Sequence, residues 1–200
     1  RSARITVKSS SFQDAHDYSD GGKGYGVLVD FTSGDCYIHK NTFEHLRHSM
    51  ILQAGANGNV FAYNHSTEPF WSAFPLPNDA AGDLVLHGNY PYMNLFEGNV
   101  VQNIVIDDSH GINGPNNLFF RNRAELYGIF MNTAPPSDHQ SFIGNQVTDT
   151  TSSLLGQYSL QGTGHYAFGN QIKGVVLPAG TTEPSDATLF GYAFPSFYPA

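Results

Sequence analysis

Short runs in which apolar and polar residues alternate recur along the chain, and six of them end alike: a large apolar residue, two variable residues, then Asn. The endings fall at Asn41, Asn64, Asn99, Asn122, Asn145 and Asn170. Three positions before each Asn stands Ile38, Phe61, Phe96, Phe119, Phe142 or Ala167; five before it stands Cys36, Asn59, Asn94, Asn117, Gln140 or His165. Alternation at period two with aromatic and β-branched content predicts strands. A helix does not fit, because Gly and Asn recur every few residues and no apolar stripe runs at three-to-four spacing. Second apolar runs follow at 26–29, 50–52, 84–86, 104–106 and 128–131, so one unit holds two or three short strands and their turns.

Successive Asn endings are separated by 23 (64 − 41), 35 (99 − 64), 23 (122 − 99), 23 (145 − 122) and 25 (170 − 145) residues. A period near 23 predicts a stacked solenoid, which works through long side faces rather than one central pocket. Stacking puts Asn on Asn and Phe on Phe at the strand spacing of about 4.8 Å, where identical amides bond up and down the stack. Such an internal ladder at a tight turn satisfies backbone groups that burial would otherwise leave unpaired. All six Asn are therefore read as structural. An earlier unit is expected where Val7, Ser10 and Phe12 match Ile38, Asn41 and Phe43. The one N-x-S/T sequon, Asn64-His65-Ser66, falls on a ladder position and is expected to be interior and unglycosylated.

Over roughly residues 4–173 this pattern resembles the right-handed parallel β-helix of the pectate-lyase-like superfamily. The expected fold is all-β: a right-handed, single-stranded parallel β-helix of about seven coils with an internal Asn ladder. Residues 1–180 would form it, and residues 181–200, rich in Pro, Phe and Tyr, would cover the last coil or lead into a missing segment. Neither end carries an amphipathic capping helix. That predicts a processed protein or a piece of a longer one, with contacts from uncapped coils to neighbouring chains or missing segments.

Composition narrows the partners. With nine Lys plus Arg against seventeen Asp plus Glu, the net charge is −8, which argues against nucleic acid and anionic membrane surfaces. An acidic polysaccharide stays open, because carboxylates can hold it through Ca²⁺. No run of eighteen apolar residues is present, so membrane insertion by a helix is not expected. The single Cys36 is read as a small buried hydrophobe.

Candidate chemistry lies where the repeat is broken. The 35-residue interval contains an insertion of roughly 66–82, with Phe70, the only Trp (Trp71) and Phe74 among three Pro. Such rings could stack on sugars or fold back onto the solenoid flank. His87 and His110 each stand twelve residues before the next ladder Asn, at the ends of second strands. With coils in register, they would lie about 5 Å apart. Gln53, Asp107, Asp108 and Asn132 would extend the same polar strip, and Arg47 and His48 stand in the His-rich run 45–48. A His pair flanked by carboxylates can act as general base and acid or hold a divalent metal; the plain alternative is a solvated turn face.

The resemblance implies a mechanism. Such β-helices commonly cleave acidic polysaccharides: lyases by β-elimination, with Ca²⁺ or a basic residue neutralising the uronate, and hydrolases with carboxylate pairs. Arg47 or His48 would be the base, His87 and His110 would complete the catalytic set, and Asp107 with Asp108 would be an acid or Ca²⁺ site. Gln53, Asn132, Phe70, Trp71 and Phe74 would bind substrate. The expectation is thus an extracellular or cell-surface carbohydrate-active protein, a polysaccharide lyase or hydrolase. The rival is a non-catalytic β-helix segment serving as adhesin, spacer or glycan-binding module.

Overall fold

The computed structural model describes residues 2–18, 22–70, 82–131 and 136–191, and every regular element among them is a β-strand. Seven parallel strands form the first sheet: Thr6–Lys8, Tyr37–His39, Val60–Ala62, Leu95–Glu97, Leu118–Phe120, Ser141–Ile143 and Tyr166–Phe168. Their order in the sheet is their order in the chain. Each pass therefore returns to the same sheet one strand further along, which is compatible with a β-solenoid. The register carries Val7, Ile38, Phe61, Phe96, Phe119, Phe142 and Ala167 as one row. These are the alternating apolar positions of the sequence. From Ile38 to Phe142 they are at most 1% exposed, and Phe96, Phe119 and Phe142 stack nearly parallel with centroids 4.8 and 5.1 Å apart.

A twelve-stranded second sheet contains the rest. One of its rows aligns Val27, Met50, Leu84, Ile104, Ile129 and Tyr158. Alternate side chains of these strands face opposite ways. Met50, Leu84 and Ile104 join the main core, while Ile51, Val85, Val105 and Phe130 form a separate buried outer cluster. Pairing is parallel except at the closing hairpin of Asn170–Ile172 with Val175–Leu177.

Two buried amide stacks run through the interior. In the first, the side-chain N–H of Asn41 donates to Asn64, Asn64 to Asn99, Asn99 to Asn122, Asn122 to Asn145 and Asn145 to Asn170, at 2.9–3.1 Å. Each also donates to a carbonyl one layer back, such as Asn99 to Phe61 O at 2.9 Å, and all six are 0% exposed. Just before each Asn the backbone is left-handed, at Lys40, Tyr63, Gly98, Arg121, Gly144 and Gly169. The second stack links Asn59, Asn94, Asn117 and Gln140, and His165 Nδ1 accepts the Gln140 N–H at its end. Satisfied amides in this number hold the register, because a one-residue slip would orphan buried donors.

Residues 181–191 lie along the outward face of the first sheet, its last strand included. Thr181 Oγ1 accepts the Gly169 N–H, and Arg121 donates to the Asp186 and Pro184 carbonyls and to Glu183. Glu97 accepts the N–H groups of Leu189 and Phe190 and the hydroxyls of Thr188 and Tyr63. Two glycines beneath this strap have no room for a side chain. A Cβ at Gly144 would stand 2.7 Å from Pro184 Cγ, and one at Gly169 would collide with Thr182 O.

Candidate functional site

A cleft of about 510 Å³ opens on the second sheet where three of its strands, His48–Leu52, Leu84–His87 and Val100–Asp107, deliver polar ends. Arg47, His48, Gln53, His87, Asp107 and His110 line it, with Tyr25 and Ser109. The sequence expected His87 to lie opposite His110. The ladder instead pairs His87 with Asp107. The offset arises in the turn: eleven positions separate Asp107 from Leu118 (118 − 107), whereas eight separate His87 from Leu95 (95 − 87). The three additional residues lift His110 back over its neighbour, so the two imidazoles still meet, with centroids 4.4 Å apart.

His87 Nδ1 stands 2.6 Å from Asp107 Oδ2, with both side chains largely buried. The approach is bent away from the ring N–H direction, so it is a close contact rather than a linear hydrogen bond. Asp107 also accepts the Ser109 N–H at 2.8 Å and the Ser109 hydroxyl at 3.0 Å. That hydroxyl has one proton, so its oxygen accepts from His110 Nδ1, 3.1 Å away. Burial pushes the Asp107 carboxyl up. The contacts from His87 and Ser109 outweigh burial and hold it below the usual range.

His48 is a different kind of histidine. It is 3% exposed, and its Nδ1 lies 3.0 Å from the Gly82 carbonyl. A carbonyl only accepts, so Nδ1 carries the proton and Nε2 keeps its lone pair. Burial pushes its pKa down to about 3; the Gly82 carbonyl opposes that shift, and the charges of His87 and Arg47 add to it. His48 is therefore a neutral ring, 5.6 Å from His87 and 4.8 Å from Tyr25. Arg47 Nε and Nη1 are buried and have no hydrogen-bond partner among the described residues. Buried guanidinium nitrogens are normally paired, so the Arg47 cation at this wall is left uncompensated.

The other expected residues separate. Asp108 is 6% exposed and does not line the cleft, so it does not face it beside Asp107. Among the described residues no group of three or more His, Cys, Asp or Glu side chains is placed to share a metal ion. Phe70 was read either as a sugar-stacking ring or as one folded back onto the flank; its ring lies on Tyr18, with centroids 4.1 Å apart, and meets His45 edge-on. Trp71, Phe74 and Asn132 lie outside the described residues. Sequence reasoning missed Tyr25 and Ser109. Ser109 had a signal, since it lies between two candidates in Asp107-Asp108-Ser109-His110.

No protein-family model, curated protein or solved structure matches the chain.

Proposed function

We propose that the chain is a right-handed parallel β-helix of about seven coils, resembling pectate-lyase-like proteins, with the asparagine stack as its ladder. Its cleft, in this reading, cleaves an acidic polysaccharide outside the cell by β-elimination. One observation carries the reading: the unpartnered Arg47 nitrogens share a cleft with the His87–Asp107 pair. Arg47 would take the uronate carboxylate, and neutralising it acidifies the adjacent C–H. His87, held at Nδ1 by Asp107, would remove that proton through Nε2. The electron pair forms the new carbon–carbon double bond as the bond to the leaving oxygen breaks. His110 or Tyr25 would return a proton to that oxygen. Hydrolysis is less well supported, because it needs two facing carboxylates, and Asp107 is the one carboxylate among the described lining residues.

The test is a panel of uronate polysaccharides, with and without Ca²⁺, followed by absorbance of the unsaturated product. Product from one glycan supports the reading. Binding without product would instead favour the glycan-binding module, and neither would remove both.

A further inference from the structure

We propose, resting on the elimination reading above, that Asp107 is the shared counter-ion of His87 and His110, and that Ser109 ties His110 to it. The two imidazoles carry one positive charge between them. His110 is thereby the acid of the reaction, and Ser109 is a positioning residue.

Two turns are fastened so that these groups meet. Gly88 follows His87, and the backbone of the next turn sits directly on it. A Cβ at Gly88 would stand 2.6 Å from Gly111 O and 2.9 Å from His110 C. Asn113, 3% exposed, staples the same place. Its Oδ1 accepts the Gly88 N–H at 2.9 Å, and its Nδ2 donates to Asp107 O at 3.0 Å. Gly111 N–H closes the turn on Asp108 O at 2.8 Å. The backbone of His110 therefore leaves His87 only if the bonds to a buried amide break.

One carboxylate reaches both rings. Asp107 Oδ2 lies 2.6 Å from His87 Nδ1 and 3.0 Å from Ser109 Oγ, and that oxygen lies 3.1 Å from His110 Nδ1. The Ser109 hydroxyl donates to Asp107, so His110 Nδ1 donates to the hydroxyl. With Nδ1 committed in this way, the nitrogen of His110 that exchanges a proton is Nε2.

Charge then balances through the reaction. At the start His110 is the imidazolium and His87 is neutral. His87 Nε2 takes the C–H proton, the electron pair forms the double bond, the carbon–oxygen bond breaks, and His110 Nε2 gives its proton to the leaving oxygen. At the end His87 is the imidazolium and His110 is neutral. The cation has moved between rings whose centroids are 4.4 Å apart, and Asp107 serves it in both states. The trio has zero net charge before and after, so no new charge is created beside Arg47. Water resets the pair by taking the proton from His87 and giving one to His110. Among the described residues, the other titratable or charged groups lining the cleft are Arg47, His48 and Tyr25. Arg47 keeps its charge, and burial keeps His48 neutral. Tyr25 holds its proton, because burial, opposed by Arg47 and aided by Asp107, pushes the phenol up from 10.

The test begins without substrate. Proton–nitrogen NMR of the full chain labelled at histidine, at alkaline pH, reads which ring nitrogen carries the proton. Wild type and S109T should show His110 in the Nδ1–H form, and S109A should lose it. An unchanged His110 tautomer in S109A overturns the Ser109 link and leaves the elimination reading standing. The second arm uses two uronides, one with an alkoxide leaving group and one with a nitrophenoxide that departs without a proton. H110A should slow the first by roughly 10²–10⁴ and the second by less than about tenfold, whereas H87A should slow both. S109A should lower kcat on the first about tenfold with KM unchanged, and S109T should restore it. Equal losses on both uronides in H110A overturn its role as the acid. If the wild type cleaves no uronide, the elimination reading falls and the proton exchange falls with it.

Discussion

His87 and Asp107 are direct partners in the parallel ladder, and their side chains meet with Nδ1 2.6 Å from Oδ2. That contact orients the imidazole, and in the proposed elimination Nε2 is the base. H87A is expected to lower turnover by roughly 10²–10⁴, the size of a general-base contribution. D107N keeps the shape but removes the charge, and should lower kcat by about 10² with KM nearly unchanged. Steady-state kinetics on the best uronate polymer decide it. Equal loss in KM and kcat for D107N would mean that Asp107 holds substrate instead.

The buried guanidinium gives a prediction of opposite sign for stability and function. Arg47 Nε and Nη1 lose hydration without gaining a partner among the described residues. R47M keeps the apolar stem and removes that penalty, so it should gain about 1–3 kcal/mol in denaturant unfolding. The same change should raise KM for anionic glycan at least tenfold. A destabilised R47M would show that the guanidinium already has its partner.

The Asn endings made the strand rows legible, because a stack repeats the same residue at the same level and so writes its period into the sequence. The second stack was also visible as polar residues at inward places, Asn59, Asn94, Asn117 and Gln140. The site was less legible. Its register depends on the length of one turn, and three residues there separated the expected His87–His110 alignment from the observed His87–Asp107 pair. Phe70 and Asp108 show a second reason. The direction of one side chain on an irregular turn has no period to read.

Asn64 combines both kinds of evidence. Its amide bonds to Asn99 Oδ1 and to Ile38 O, and Ser66, the sequon hydroxyl, is engaged by Ser49 and Asp83. Expression in a glycosylating host should give no mass increment at Asn64. N122A, by contrast, leaves several buried partners unpaired and should cost about 3–5 kcal/mol. A glycan on Asn64 would contradict the buried stack outright.

Asp83 and His48 make opposite contributions to the pH dependence of stability. Asp83 is 0% exposed. Burial pushes its pKa from 3.8 up to about 6, against hydrogen bonds from Gln102 N–H, the Ser66 hydroxyl and Asn103 N–H. Its contribution is fully present below about pH 3.8 and is lost as pH rises through 6. His48, pushed down from 6.5 to about 3, contributes fully above pH 6.5 and loses that contribution as pH falls toward 3. D83N removes the first and keeps the second. Its stability relative to wild type should therefore improve by ~2.4 kcal/mol between pH 4 and pH 7, at about 1.36 kcal/mol per pKa unit. Urea unfolding of both proteins across that range tests it; a constant difference would mean that Asp83 ionises normally.

Glu97 ties the strap to the sheet. Its carboxylate is 1% exposed and accepts three donors from the strap, the Thr188 hydroxyl and the N–H groups of Leu189 and Phe190. Bonds to a charged acceptor contribute about 1.5–3 kcal/mol each. E97A should thus ease local opening of residues 181–191 by at least ~3 kcal/mol, a factor of about 100. The interior stacks are untouched, so global unfolding should shift far less. Protease cleavage tracks the open population when closing is fast, so cutting within 181–191 should accelerate about 100-fold in E97A. E97Q should fall between, because the Tyr63 and Thr188 hydroxyls can reverse and accept from the new amide while its oxygen keeps the two N–H groups. An unchanged cutting rate in E97A would leave Arg121 and the glycine-lined bed as the real fastening.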